Sequence, residues 1–157
     1  MTAQSELART RFEKAKRYLR LFMRDTPELN RLIRKEESDA EMYEFAIEMA
    51  ISEYNTTPPV TNIVSIENYP SLYLLMHGAA IQLLKSNGIL QARNELSYSA
   101  GGSSFIRSNK SNYYMQWMIN FANQYTITLS NTKIASNVRK GWGSGVYSEY
   151  DRIGYAW

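Results

Sequence analysis

The sequence predicts a mainly α-helical protein: a bundle of about four helices with one β-hairpin and an extended C-terminal arm. Three observations carry that expectation. Residues 72–84 repeat apolar side chains at helical spacing without a miss. Residues 108–139 run without a glycine or proline. The last seventeen residues, GWGSGVYSEYDRIGYAW, hold five aromatics and four glycines in a stretch too short to form a core. The expected division is a helical domain over 1–140, with a hairpin at 94–106, and an arm over 141–157.

The first helix is expected over 5–24, where Leu7, Ala8, Phe12, Ala15, Leu19 and Phe22 recur at helical spacing and Arg9, Arg11, Lys14, Lys16, Arg17, Arg20 and Arg24 fill much of the rest. A solvated face is the plain reading of those cations; a basic face against an acidic neighbour or DNA is the sharper one. Asp25-Thr26-Pro27 should end the helix, because a residue before proline is pushed out of the helical region. A short helical turn is expected from Glu28 to Lys35.

Ser38-Asp39-Ala40-Glu41 reads as a capping box opening a second helix to about Tyr54. Met42, Phe45, Ala46, Met49 and Ala50 give it an apolar stripe; Glu41, Glu44 and Glu48 give an acidic one. That strip is placed to meet the basic first helix, in the same subunit or the next. Asn55-Thr56-Thr57-Pro58-Pro59 breaks the chain into an extended connector.

The third helix is expected from Tyr69-Pro70, with proline in its first turn. Leu72, Leu75, Met76, Ala79, Ala80, Leu83 and Leu84 form one face, and Leu74 and Ile81 add apolar surface opposite, so the helix should be buried. Gly78, Ala79 and Ala80 allow a close helix crossing, and Asn87-Gly88 supplies a stop. In NELSYSAGGSSFI, Leu96 and Tyr98 alternate before Gly101-Gly102, and Phe105 follows, which reads as a hairpin. In the final helix Tyr114, Trp117, Phe121 and Tyr125 form a stripe, with Met118 and Ala122 beside it; Thr126-Ile127-Thr128 is a β-branched weak point.

Composition narrows function. The 157 residues suffice for one domain with a core, and 44% hydrophobic with 21% charged residues is ordinary for a soluble protein. No run of about 18 apolar residues exists to span a membrane, and the N-terminus is charged where a signal peptide would be apolar. Cytoplasmic synthesis is the expectation. With no cysteine, disulfides and thiolate chemistry are excluded. With one histidine, His77, no histidine metal cluster forms within one chain. His77 lies in the buried third helix, where a hydrogen-bonded core histidine is favoured over a base. No phosphate-binding glycine loop and no Gly-x-Ser-x-Gly elbow occurs. Glu44 and Glu48 share a face but lack the Glu-x-x-His partners of a carboxylate metal site. The expectation is therefore no enzyme, no cofactor and no metal.

Residues 1–57 hold ten Lys/Arg and eleven Asp/Glu, against eight and four in 58–157. Arg107, Lys110, Lys133, Arg139 and Lys140 lie near Tyr113, Tyr114 and Trp117, and cations interleaved with aromatics can track a nucleic-acid backbone. The aromatics sit at core spacing, which favours packing.

Three stretches resemble the head–tail connector proteins of tailed bacteriophages, also called adaptor, neck or head-completion proteins: SDAEMYEFAIEMAISEYNTTPP, then YPSLYLLMHGAAIQLLKSNGILQARNELSYSAGG, then the long closing helix with its basic end and aromatic arm. Together they cover about residues 25 to 157. The likeness is one of pattern and layout, and the long basic first helix departs from it. The resemblance implies a helical subunit of a homo-oligomeric ring, commonly a dodecamer, at the head–tail interface of the virion, assembled in the host cytoplasm. Its implied partners are the portal protein, the tail or further neck proteins, and the packaged double-stranded DNA in the channel, with no membrane. The arm would dock on the portal through Trp142, Tyr147, Tyr150, Tyr155 and Trp157. Arg9, Lys16, Arg20, Glu41, Glu44 and Glu48 are candidates for inter-subunit faces, and Arg107, Lys110 and Lys133 for contacts with channel DNA. The alternatives are a nucleic-acid-binding protein using the basic first helix, another virion component such as a tail terminator or minor head protein, and, more distantly, a small hydrolase.

Overall fold

The computed structural model describes residues 3–30, 34–93, 97–100, 103–106 and 110–141; within these, backbone alone is described at 3–5, 7, 97–100, 103–106, 110 and 111. The protein is mainly helical: α1 (Ala3–Met23), α2 (Ala40–Thr56), α3 (Leu72–Arg93) and α4 (Lys110–Gly141). Between α3 and α4, the backbones of β1 (Ser97–Ala100) and β2 (Ser103–Ile106) run antiparallel with Tyr98 opposite Phe105.

The exit from α1 uses arginine where glycine is usual. Arg24 takes the left-handed conformation at φ 55°. Its amide donates to the Leu21 carbonyl at 3.2 Å, and the Asp25 amide donates to the Arg20 carbonyl at 3.1 Å. This pair of bonds satisfies carbonyls that a helix end otherwise orphans. The Leu29 and Asn30 amides both reach the Thr26 carbonyl. Of the helical turn expected over 28–35, residues 31–33 lie outside the described residues; the Arg34 amide donates to the Asn30 carbonyl at 2.7 Å, and Arg34 takes a left-handed conformation at φ 51°.

The cap of α2 is Asp39, one residue later than the expected serine. The Asp39 carboxylate accepts the Met42 amide at 2.8 Å. Ser38 is buried outside the helix, and its amide donates to the Asp25 carboxylate at 2.9 Å. A carboxylate serves this position at least as well as a hydroxyl and also complements the positive helix end. The buried stripe is rotated too. Tyr43, Ala46, Ile47, Ala50 and Tyr54 face inward, while Phe45 is 58% and Met49 40% exposed. The two tyrosines take the core side because each hydroxyl-bearing ring finds partners there: Tyr43 with Asp25, Tyr54 with Tyr69.

Ser71 caps α3, its hydroxyl accepting the Leu74 amide at 3.5 Å. The helix runs through Asn87-Gly88 to Arg93, so the expected stop does not operate. Both residues are held by packing: Asn87 is buried, and a side chain at Gly88 would lie 3.6 Å from Tyr114 of α4. Every residue from Leu74 to Ile81 is buried, as its apolar composition dictates. Leu72, expected on the buried face, is 51% exposed at the first turn.

Helix α3 is therefore the axis of the fold. One core cluster joins Ala15 and Leu19 of α1, Tyr43 and Ala46 of α2, and Leu75 and Ala79 of α3. A second joins Tyr54 of α2, Leu74 and Ile81 of α3, and Tyr125 and Leu129 of α4. Gly78 sits where the helices come closest: a Cβ there would stand 3.1 Å from Ala50 Cβ on α2 and 3.2 Å from the Tyr125 ring on α4. Helix α4 is continuous through Thr126-Ile127-Thr128, where Thr126 and Thr128 donate their hydroxyls to carbonyls four residues earlier.

The connector 57–71 is tied to three helices. Asn55 donates to the Val64 carbonyl and accepts the Val64 amide, both at 2.9 Å. Asn137 of α4 donates to the Val60 carbonyl at 3.1 Å, and Arg11 of α1 donates to the Glu67 carbonyl. The Arg11 tie holds the connector beside the cavity described below.

Candidate interaction surfaces

The basic and acidic helices meet within one chain. Lys16 Nζ lies 2.7 Å from Glu13 and 3.6 Å from Glu44 of α2. The hydrogen bond that Lys16 donates to Glu13 leads in raising the Lys16 pKa; partial burial opposes it, and Glu44 adds to it. Arg20 pairs with Glu36 at 2.9 Å and lies over the Tyr43 ring. Lys16, Arg20 and Glu44 thus spend their charge inside the subunit. Arg9, Glu41 and Glu48 remain exposed. The outward surface of α2 is not purely acidic, because Phe45 and Met49 emerge on it as well. The stripe reading missed this pair by assigning both to the core.

Asp25 organises the corner between α1 and α2. Its carboxylate accepts Asn30 Nδ2 at 2.5 Å, the Glu37 amide at 2.7 Å, the Ser38 amide at 2.9 Å and the Tyr43 hydroxyl at 2.6 Å. Burial alone would raise its pKa, but these four donors outweigh burial and hold the carboxyl below its ordinary value. Burial and the neighbouring Asp25 push the Tyr43 phenol up in turn. Asp25 appeared in the sequence only as a helix terminator. No local pattern signals a carboxylate whose partners lie up to 18 residues away.

An aromatic cluster surrounds His77. The ring is 5% exposed, and its Nδ1–H donates to the Tyr73 carbonyl at 3.0 Å. Tyr73, Phe22 and Phe121 lie at ring-centroid distances of 4.0, 5.2 and 5.4 Å. This is the hydrogen-bonded core histidine that its place in α3 predicted. The α4 stripe divides along its length. Tyr125 is buried, burial pushing its phenol up to about 12. Phe121 is half-buried, and Trp117 is 58% exposed against it at 5.9 Å. The α4 spacing therefore does not place all four aromatics in the core.

Lys133 requires a correction. Expected among cations facing DNA, it is fully buried. Its ammonium donates to the Thr57 carbonyl and lies 4.6 Å from the Tyr54 ring centroid. Burial pulls its pKa below the usual lysine value. A long aliphatic stem lets lysine cross an apolar layer and deliver its head to a carbonyl on the far side. Arg107, the Lys110 side chain, and Trp142, Tyr147, Tyr150, Tyr155 and Trp157 lie outside the described residues, as does Gly101-Gly102. Arg139 and Lys140 are exposed at the end of α4.

A cavity of about 210 Å³ opens between α1 and the start of α3. Ala15, Ile66 and Leu75 give it an apolar floor; Arg11, Lys14 and Tyr18 stand around it. Lys14 lies over the Tyr18 ring at 5.6 Å. Among the described residues neither Arg11 nor Lys14 has a carboxylate partner. Sequence spacing gave no sign of this cavity, since its lining is drawn from α1, α3 and, through Ile66 and Tyr69, the connector.

Among the described residues no helix is long and apolar enough to cross a membrane. The chain matches no protein-family profile, no curated protein and no solved structure.

Proposed function

We propose that the chain is a structural subunit of an oligomeric ring that joins a phage portal to its tail and extends the DNA channel. One observation carries the reading most: α2 presents Phe45 and Met49 outward between Glu41 and Glu48. An apolar pair with a charged rim is the anatomy of a protein interface, where the rings and thioether lose water and the charges set register. The exposed cations of α1, Arg9 and Arg17 among them, supply the opposite sign for the next subunit in a heterologous contact. The exposed Tyr113 and Trp117 of α4 offer a second apolar surface. In this reading the arm at 142–157 docks on the portal through its Trp and Tyr side chains. The hairpin touches a neighbour or the tail side, and Arg107 and Lys110 face the channel. Lys133 has no part in that contact.

The test is the mass of the purified chain in solution, alone and with a portal ring. A monomer that forms a defined ring on the portal supports the proposal. Replacing Phe45 and Met49 with serine should abolish that ring while leaving the helical content unchanged, since both side chains already face water. Deleting 142–157 should abolish attachment to the portal. A chain that ignores portals yet binds free duplex DNA, with affinity falling steeply with salt, would overturn the reading in favour of a nucleic-acid-binding protein.

A further inference from the structure

We propose that the cavity between α1 and α3 is the docking site for the chain's own segment 147–151, Tyr-Ser-Glu-Tyr-Asp. This inference stands apart from the ring reading: it concerns where the arm rests on its own body.

The cavity fits one aromatic side chain flanked by negative charge. Its volume of about 210 Å³ and its floor of Ala15, Ile66 and Leu75 suit a ring, not a polar solute. Arg11 and Lys14 stand at its edge with no carboxylate partner among the described residues. Arg11 gives one donor to the Glu67 carbonyl and Lys14 lies over the Tyr18 ring, but both keep an unneutralised charge. An apolar floor beside two such cations selects an aromatic residue with acidic neighbours. The segment 147–151 has that chemistry. Tyr147 and Tyr150 alternate with Glu149 and Asp151, and these are the arm's two acids. Seating Tyr150 in the cavity would bring an acid on either side of it to the Arg11 and Lys14 edge.

The reach is sufficient. Asn137 ties the end of α4 to the Val60 carbonyl, and from Val60 to the cavity wall at Ile66 is at most about 20 Å of chain. From Asn137 to Gly141 the helix adds about 6 Å. The nine residues from Gly141 to Tyr150 span up to about 30 Å when extended. The path lies within one subunit, and a tether this short gives an effective concentration on the order of millimolar. A contact too weak to form between separate molecules would thus be occupied within one. Any surface that captures the arm must first displace it from this cavity.

The chain has no cysteine, so two introduced cysteines report a single contact without background. Ser148→Cys keeps both tyrosines and both acids of the segment. Leu72→Cys lies at the cavity wall on a residue already 51% exposed. The control pairs Ser148→Cys with Val60→Cys, at a residue that is 76% exposed and, tied to Asn137 through its carbonyl, lies outside the cavity and no farther from the end of α4. Under mild oxidation of the full chain, the Leu72/Ser148 pair should form a disulfide at least ten times faster than the control, at monomer mass. Adding Arg11→Glu and Lys14→Glu should reduce its rate to that of the control, with the helical circular dichroism unchanged. Equal rates for the two pairs would overturn the proposal. So would an unchanged rate after charge reversal, or a disulfide found only at dimer mass, which would make a second copy the occupant.

Discussion

The two sides of α2 are held by opposite means. Toward α3 and α4 it meets an apolar seam with no room to spare, centred on Gly78. Toward α1 it meets a corner organised by one buried carboxylate, Asp25, with four donors. The seam stabilises by shape: its contacts are individually weak, numerous and intolerant of added volume. The corner stabilises by pairing: a few charge-assisted bonds, each of which leaves an orphan if its partner goes. The two should therefore fail differently. Adding atoms should break the seam, while removing an acceptor should break the corner.

The largest effect is expected at the seam. Gly78→Leu places a branched side chain where even a Cβ would meet Ala50 at 3.1 Å and Tyr125 at 3.2 Å. Ala50 Cβ is fixed to the α2 backbone and cannot rotate aside. Overpacking typically costs about 1–3 kcal/mol where neighbours can shift. Here two helices must separate, so a loss of about 4 kcal/mol or more is expected, the exceptional range for one substitution. Urea unfolding followed by circular dichroism would measure it; a loss under about 1 kcal/mol would show that the crossing is loose.

Asp25→Asn comes next and keeps the volume constant. The amide end can accept at its oxygen but not at its nitrogen, so two of the four donors lose their acceptor. Orphaning buried donors costs about 1–3 kcal/mol each at most, and partial rearrangement lowers the sum; a loss of about 2–4 kcal/mol is expected. The acid profile gives a second readout. The folded carboxyl titrates below its ordinary value. Its contribution is therefore complete above the unfolded value, about pH 4, and is lost as pH falls through the folded one. Unfolding free energy measured from pH 6 downward should fall more gently in the asparagine variant. Parallel profiles would remove Asp25 from the account of the corner.

How much of this was legible follows the same division. The seam announced itself, because Leu75, Met76, Ala79, Ala80 and Leu83 obey helical periodicity and Gly78 marks a close approach within it. The α2 stripe was misplaced because Phe45 and Met49 outrank Tyr43 and Tyr54 in hydrophobicity. The tyrosines took the core side because Asp25 and Tyr69 stand there, and that information lies on other elements. The cap moved from Ser38 to Asp39 for a related reason: Asp25 had already recruited Ser38. Polar pairing over long sequence separation leaves no period, so the corner and the cavity at Arg11 and Lys14 stayed out of view.

Lys133 sharpens the comparison because it sets a charge on the apolar side. It lies at the far end of the α3–α4 packing, fully buried, with its stem beside Tyr54 and its ammonium on the Thr57 carbonyl. If shape governs here, the stem matters and the charge does not. Lys133→Met keeps most of the stem and removes the desolvation cost, at the expense of one carbonyl partner. The two terms are of similar size and opposite sign, so a change within about 1.5 kcal/mol is expected. Lys133→Ala removes the stem and should cost about 2–4 kcal/mol through the space it leaves. The pH dependence has the reverse sign to that of Asp25. Burial lowers the folded pKa, so the folded state releases its proton first, and stability should rise with pH between the folded value and the unfolded one near 10.4. The methionine variant should lack that rise. If methionine instead costs as much as alanine, the hydrogen bond to Thr57 is what ties α4 to the connector, and pairing governs both sides of α2.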